Sequence, residues 1–172
     1  LVTISYRGNP LNSAIYRDGL IGLAKADLEF HTRALHDVLK STIGGRAVAV
    51  EGPAVVTEAS GGIPGVPLYM AELLDVMGVD FEDPLLSMLR MFRTRLPPRG
   101  SDMVVDEHGL VRMDDLELSD TVQTELQSRF SRLAPGEPFE PRLYQRFMDE
   151  YARTRGFNQV GVDYAAEFDK IG

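Results

Sequence analysis

The sequence RAVAVEGPAVVTEASGGIP, residues 46–64, begins as an apolar strand and opens into a loop rich in Gly, Ser and Thr. Such a strand and loop are typical of a parallel sheet that binds ligands beyond the carboxyl ends of its strands. Thr57 and Ser60 are the polar candidates, because a hydroxyl group and nearby backbone N–H groups suit a pyrophosphate. The alternative is ordinary turn or helix-capping chemistry, which uses the same residue types.

A second strand and a helix precede this stretch. Residues 1–6, LVTISY, are predicted to form a short strand, followed by a loop at 7–10. Between residues 23 and 40, apolar side chains recur at helical spacing, and Gly44-Gly45 ends the helix. The predicted local order is therefore β-α-β.

Four helices are predicted after residue 64, at 67–77, 84–96, 121–133 and 141–154. Proline near the first position marks the first two helices, and Asp120 with Gln123 resembles a capping box before the third. Gly78, the run 96–100 and Gly156 act as stops.

A small β-hairpin is predicted between the second and third of these helices. Val104-Val105 and residues 110–113 flank a turn at 107–109. The Pro- and Gly-rich run 134–138 is interpreted as one long turn rather than a linker between domains.

Tyr16 and Lys25 form a Tyr-x8-Lys pair that suits the reduction of a polarised double bond. A tyrosine hydroxyl stabilises the oxyanion that grows as hydride arrives, and a lysine ammonium favours the phenolate and holds a charged cofactor. At roughly 100° per helical residue, nine positions leave the two side chains about half a turn out of phase. A break at Gly19 or Gly22 is therefore needed. The alternative is a half-buried tyrosine before a solvated helix.

The stretches 4–10 and 15–28 around this pair resemble the active-site region of the trans-2-enoyl-CoA reductase (FabV-type enoyl-ACP reductase) family. Residues 57–69 are similar to the cofactor and substrate loop of that family, with Thr, Ala-Ser, Ile-Pro and Pro-Leu-Tyr. Residues 111–118 and 156–164 resemble it too, so the resemblance covers essentially the whole chain.

The resemblance implies a reaction and a role for particular residues. Tyr16 and Lys25 would be catalytic, and Tyr6 would line the substrate site. The implied contacts with the NADH cofactor are Lys25, Thr57, Ala59 and Ser60. Hydride from NADH would add to Cβ of a trans-2-enoyl thioester, carried by coenzyme A or acyl carrier protein, as in fatty-acid synthesis.

The predicted fold is α/β, a Rossmann-related (short-chain-dehydrogenase-like) parallel-sheet fragment with added substrate-binding helices and a small hairpin. No G-x-G-x-x-G sequence occurs in the 172 residues, so we expect the N-terminal dinucleotide-binding half to be absent. Residues 1–172 are expected to be a single catalytic and substrate-binding C-terminal portion of a longer reductase. The missing half would be its partner.

Composition argues against several other functions. A net charge of −8 and a pI near 4.9 disfavour nucleic-acid binding. The chain has no cysteine, no run near the roughly 20 apolar residues of a membrane span, and no zinc-type histidine spacing. We therefore expect neither a metal nor a membrane span, and a cytoplasmic location. Arg7 and Arg17 are either ligand contacts or solubilising charges.

Two other functions remain open. One is a non-catalytic relic or interaction module of the same fold, motivated by departures from the family pattern at 7–10 and 61–62. The other is an NAD(P)-dependent reductase of a different carbonyl substrate.

Overall fold

Three parallel strands form the only sheet in the part of the chain that the structure, a computed structural model, describes: residues 1–96, 102–134 and 136–167. The strands are β1 (Val2–Ser5), β2 (Val48–Glu51) and β3 (Val111–Arg112), in the order β1-β2-β3. Val2 lies opposite Val48, and Val50 lies opposite Val111. Because all strands run the same way, their carboxyl ends meet at one edge.

Seven α-helices lie within the described ranges: α1 (Ser13–Tyr16), α2 (Leu20–Ile43), α3 (Glu58–Gly62), α4 (Val66–Met77), α5 (Pro84–Arg90), α6 (Asp120–Phe130) and α7 (Pro141–Arg153). A 3₁₀ turn spans Gly78–Asp80, and a π-helical turn spans Met91–Arg95. No helix in these ranges combines the length and hydropathy needed to cross a membrane.

The predicted β-α-β order and the predicted helices are confirmed. Glycine marks the end of α2, and proline marks the start of three of the later helices. Gly44 ends α2 with a left-handed φ of 63°, which glycine adopts without steric cost. Proline lies at the start of α4, α5 and α7. The predicted stop at 97–100 and Pro135 of the predicted long turn lie outside the described residues.

The predicted β-hairpin is wrong. Val104 and Val105 are exposed and belong to no strand, whereas Val111 is fully buried and pairs in parallel with β2. The turn itself exists, because the Asp106 carboxylate accepts the backbone N–H groups of His108 and Leu110, both at 2.9 Å. The burial that Val111 gains by pairing with the free edge of β2 therefore outweighs pairing with Val104 and Val105 across the turn.

The predicted capping box of α6 is also wrong. Ser119 is the N-cap and Asp120 is the first helical residue. The Gln123 side chain instead donates to the Glu117 carbonyl at 2.8 Å.

The main core lies between α4, α6 and α7. Leu73, Leu126 and Phe147 are buried there, one from each helix. Arg129 of α6 also pairs with Glu72 and Asp75 of α4, at 2.9 and 2.8 Å. These contacts fix the position of α4 against α6 and α7.

Helix α2 and strand β1 leave an unusual surface exposed. Of the 24 residues of α2, the buried ones are Gly22, Glu29 and Thr32 rather than the large apolar side chains. Ile21, Leu28 and Leu35, seven residues apart, are exposed along one side of the helix. Strand β1 pairs only with β2, so its other edge is open among the described residues.

Candidate active site

A cavity of about 380 Å³ lies at the carboxyl edge of the sheet. Tyr6 follows β1 and Ala54 follows β2, and both contribute to its wall. The lining residues are Tyr6, Asn12, Tyr16, Ile21, Lys25, Pro53, Ala54, Val55, Thr57, Ala59, Ser60, Ile63, Val66, Tyr69 and Met70. All six site residues expected from the sequence are among them: Tyr6, Tyr16, Lys25, Thr57, Ala59 and Ser60.

A break between two helices brings Tyr16 and Lys25 to this cavity. Tyr16 ends α1, and α2 begins at Leu20, after Gly19 in an extended conformation with φ −99° and ψ −175°. Gly22 permits the tight junction, since a Cβ there would lie 2.2 Å from the Arg17 carbonyl oxygen. The break expected from the spacing of the pair is therefore present.

Tyr16 presents a phenol whose hydroxyl makes no hydrogen bond to any described residue. Its ring lies edge-on to that of Tyr6, with centroids 4.7 Å apart and planes at 86°. Partial burial, and then the charge of Glu117, raise the pKa of Tyr16 above its usual value. The hydroxyl is therefore protonated at neutral pH and has no acceptor among the side chains around it.

Lys25 presents a half-buried ammonium group that forms no ion pair within the described residues. Desolvation lowers its pKa; Glu51 and Glu29 act in the opposite direction, while Arg17 adds to the lowering. The lining of the cavity therefore includes an unpaired cation and an unpaired hydroxyl donor, and such groups favour an anion or a developing oxyanion.

Arg7 and Arg17, the other cations near the pair in sequence, are occupied by two glutamates. Both lie 3.3 Å from Glu29 and 3.8 Å from the fully buried Glu51. Burial, followed by the Glu29 carboxylate, raises the pKa of Glu51 to about 7. At Glu29, burial acts to raise the pKa. The neighbouring Glu51 carboxyl group and Arg17 outweigh it, so the pKa of Glu29 is lowered. The two arginines therefore neutralise a buried acidic pair rather than face the cavity.

Thr57 and Ser60 take part in helix capping and also line the cavity, so they match both alternatives that the sequence left open. The Ser60 hydroxyl accepts the Thr57 N–H at 2.9 Å and donates to the Val55 carbonyl at 3.1 Å, so it serves the capping of α3. Thr57 and Ala59 are exposed and line the cavity, and the Thr57 side chain also accepts the backbone N–H of Ser60 in the capping box of α3. Ser60 is buried and shapes the loop that presents them.

Sequence reasoning missed the acidic side chains behind the site. Glu117 follows β3 and accepts a hydrogen bond from the Tyr6 hydroxyl at 2.8 Å across 111 residues of chain. Asn12 also donates to the Tyr6 oxygen, at 3.1 Å. Glu29, Glu51 and Glu117 stand out in the sequence only as isolated glutamates, a pattern that is usually solvent-exposed.

Known proteins that are similar to this chain are enoyl reductases. A sequence model described as the trans-2-enoyl-CoA reductase catalytic region matches residues 1–96, and one described as the enoyl reductase FAD binding domain matches 105–168. The Clostridium acetobutylicum trans-2-enoyl-CoA reductase [NADH] is 37% identical over 98% of this chain. The Streptomyces avermitilis enoyl-[acyl-carrier-protein] reductase [NADH] is 39% identical over 95%.

Solved structures agree. The Clostridium acetobutylicum trans-2-enoyl-CoA reductase in complex with NAD superimposes with a TM-score of 0.85 and 37% identity, over 98% of this chain and 44% of that one. The Treponema denticola trans-2-enoyl-CoA reductase in complex with NAD gives a TM-score of 0.81 at 31% identity, over 97% of this chain and 42% of that one. This chain spans 42% of the Clostridium relative and 41% of the Streptomyces relative. The chain belongs to the trans-2-enoyl-CoA reductase family.

Proposed function

We propose that this chain is the catalytic and substrate-binding portion of an NADH-dependent reductase of trans-2-enoyl thioesters. One observation carries the proposal: the Tyr16 hydroxyl and the Lys25 ammonium, both without a partner in the described structure, line one half-enclosed cavity. Relatives named as NADH-dependent enoyl-CoA and enoyl-acyl-carrier-protein reductases support the same chemistry. The substrate would be an enoyl-CoA or an enoyl-acyl carrier protein, and the product a saturated acyl thioester.

NADH, when bound, supplies hydride to Cβ of the enoyl group. Tyr16 donates a hydrogen bond to the thioester oxygen as enolate charge grows there, and it can deliver the proton that completes the reduction. Lys25 stabilises the negative charge that appears on the oxygen and on Tyr16. Tyr6 holds the Tyr16 ring in position and lines the substrate side of the cavity.

Residues of the same cavity would also hold the nicotinamide cofactor. Lys25 is a cation available to the ribose or phosphates of the cofactor. On the loop after β2, the exposed residues Thr57 and Ala59 would offer a hydroxyl group and backbone groups, respectively. Ser60 contributes by fixing that loop rather than by direct donation, since its proton is held by the Val55 carbonyl. Helices α4 and α5 are the proposed substrate-binding helices, and α4 provides Val66, Tyr69 and Met70 to the wall.

We further propose that residues 1–172 form one C-terminal unit of a Rossmann-related, short-chain-dehydrogenase-like fold whose N-terminal dinucleotide-binding half docks on β1 and α2. The open edge of β1 and the exposed apolar side of α2 support this, because apolar stripes and free strand edges are normally covered. A cytoplasmic location belongs to the same proposal.

This docking proposal has a direct test. The isolated 172-residue chain should bind NADH weakly or not at all in a calorimetric titration, and adding the N-terminal half should restore binding. Micromolar affinity of the isolated chain would contradict it.

The description of the second matching region, residues 105–168, names FAD. The residues that line the cleft bordered by this region are poorly suited to binding FAD. That cleft, of about 800 Å³, is lined by Asp83, Asp149 and Glu150. Its arginines are already paired, Arg146 with Asp75 and Arg153 with Asp83. An acidic cleft without a spare cation disfavours a pyrophosphate, so no step is assigned to a flavin.

An NADH-oxidation assay of the full-length protein with crotonyl-CoA tests the proposed reaction. Turnover that consumes equal amounts of NADH and crotonyl-CoA is the expected result. NADH binding without turnover on any enoyl thioester would favour an interaction module. Turnover only on other carbonyl compounds would favour a different reductase.

A further inference from the structure

Glu117 is a fully buried carboxylate at the junction of all three strand ends. It is 1% exposed and lies in the turn that follows β3. It belongs to the second matching region, whereas the tyrosines it contacts belong to the first. It is therefore the point at which residues 105–168 reach the reductase site.

Both oxygens of this carboxylate are occupied by donors. Oε1 accepts the hydroxyls of Tyr6, at 2.8 Å, and Tyr69, at 2.5 Å, and lies 3.4 Å from the Asn9 side-chain nitrogen. Oε2 accepts the backbone N–H of Ala54 at 2.6 Å. Burial raises the pKa of Glu117, whereas the hydrogen bonds from Tyr69, Ala54 and Tyr6 act in the opposite direction because they stabilise the ionised form.

The Tyr6 hydroxyl is committed by this arrangement. It has one proton, which it donates to Glu117, and its oxygen accepts the Asn12 amide at 3.1 Å. While Glu117 is ionised, Tyr6 has no proton to offer a substrate carbonyl. The Tyr16 hydroxyl, against whose ring Tyr6 packs, keeps its proton free.

We propose that Glu117 is a positioning residue of the reductase site: it accepts the hydrogen bond that uses the only proton of Tyr6, and so leaves Tyr16 as the phenolic donor to the substrate. This rests on the proposed function. Glu117 also ties the loop after β2, through Ala54, to the strand end that presents Tyr6. A displacement of about 1 Å in such a framework can cost roughly 100-fold in rate.

Glu117→Gln is the appropriate variant because an amide keeps the shape but replaces one acceptor with a donor. Either the tyrosines or the Ala54 N–H then faces the wrong group. In the full-length protein we expect kcat to fall roughly 10- to 100-fold, with little change in the Michaelis constant for NADH. Glu107→Gln is the matched control, since the Glu107 side chain is 86% exposed and lies in the same region; it should keep wild-type kinetics.

A double-mutant cycle with Tyr6→Phe separates positioning from general damage. If Glu117 acts through Tyr6, the double variant loses little more than the worse single variant. Losses that multiply, or full activity in Glu117→Gln, would overturn the proposal. If Glu117→Gln does not fold, Tyr6→Phe alone still decides, because its loss of kcat must be smaller than that of Tyr16→Phe; an equal or larger loss would make Tyr6 the donor.

A second readout is independent of turnover. With ¹³Cζ-labelled tyrosine, NMR titration should show a lower pKa for Tyr16 in Glu117→Gln than in wild type, because burial remains but the Glu117 charge is removed. An unchanged titration would contradict the coupling. If the wild-type protein reduces no enoyl thioester, the proposed reaction fails while this titration still tests the Glu117 contact.

Discussion

Replacing Tyr16 with phenylalanine is expected to remove most of the activity and leave the fold intact. The hydroxyl makes no hydrogen bond within the described structure, so its loss removes no native hydrogen bond and the melting temperature should hardly change. The transition state loses its proton donor, and kcat should fall by roughly 10²–10⁴-fold. The Michaelis constant for NADH should stay nearly constant, because Tyr16 is assigned to the substrate oxygen.

Tyr6 is the neighbour of Tyr16, with ring centroids 4.7 Å apart, and Tyr6→Phe is the comparison variant that is expected to change stability. It removes a hydrogen bond to the buried Glu117 and one from Asn12, at 2.8 and 3.1 Å. Loss of bonds of this kind costs about 1–3 kcal/mol. In a domain of this size, that corresponds to roughly 2–12 °C in melting temperature.

Steady-state NADH oxidation with crotonyl-CoA and thermal denaturation by circular dichroism measure both effects on the full-length variants. We expect the two effects to separate: Tyr16→Phe should be stable but nearly inactive, and Tyr6→Phe should be less stable but more active than Tyr16→Phe. Nearly full activity in Tyr16→Phe with an unchanged melting temperature would refute the catalytic assignment. Tyr16 would then be a structural residue.

Three further predictions concern the surroundings of the pair. Lys25→Ala should lower kcat and also raise the Michaelis constant for NADH in steady-state kinetics, since the ammonium serves both enolate and cofactor; a change in neither would remove Lys25 from the site. Gly22→Ala should lower both melting temperature and turnover, because its Cβ would lie 2.2 Å from a backbone oxygen of Arg17, whereas Gly62→Ala, with open space around it, should change little. The pKa of Glu51 is raised to about 7, so its stabilising contribution is complete below about pH 4.5 and is lost as the pH rises through 7. Melting temperatures from pH 5 to 8 should therefore fall more steeply for wild type than for Glu51→Gln, and parallel curves would contradict the shifted pKa.

Several features of the fold follow from local sequence alone. The strand at 1–6, the helix that ends at Gly44 and the helices that begin near prolines were predicted because periodicity and turn residues act over a few positions. The break between Tyr16 and Lys25 belongs to this class too, because the phase of a helix and the presence of glycine demand it.

The hairpin at 104–113 shows the limit of such reasoning. Its turn is local and was predicted correctly, but the pairing of Val111 depends on a free edge of β2, about 60 residues earlier in the chain. Local propensity contains no information about that edge.

The candidate site divides in the same way. Tyr16, Lys25 and the loop at 57–60 were predicted as site residues from spacing and from the family resemblance, and the structure places them around one cavity. The partners of Arg7 and the contact between Glu117 and Tyr6 could not be predicted, since these charges meet only after the parallel strands place their carboxyl ends together. A buried carboxylate and a solvated one are the same letter in a sequence; burial and hydrogen-bond donors, which exist only in the folded chain, distinguish them.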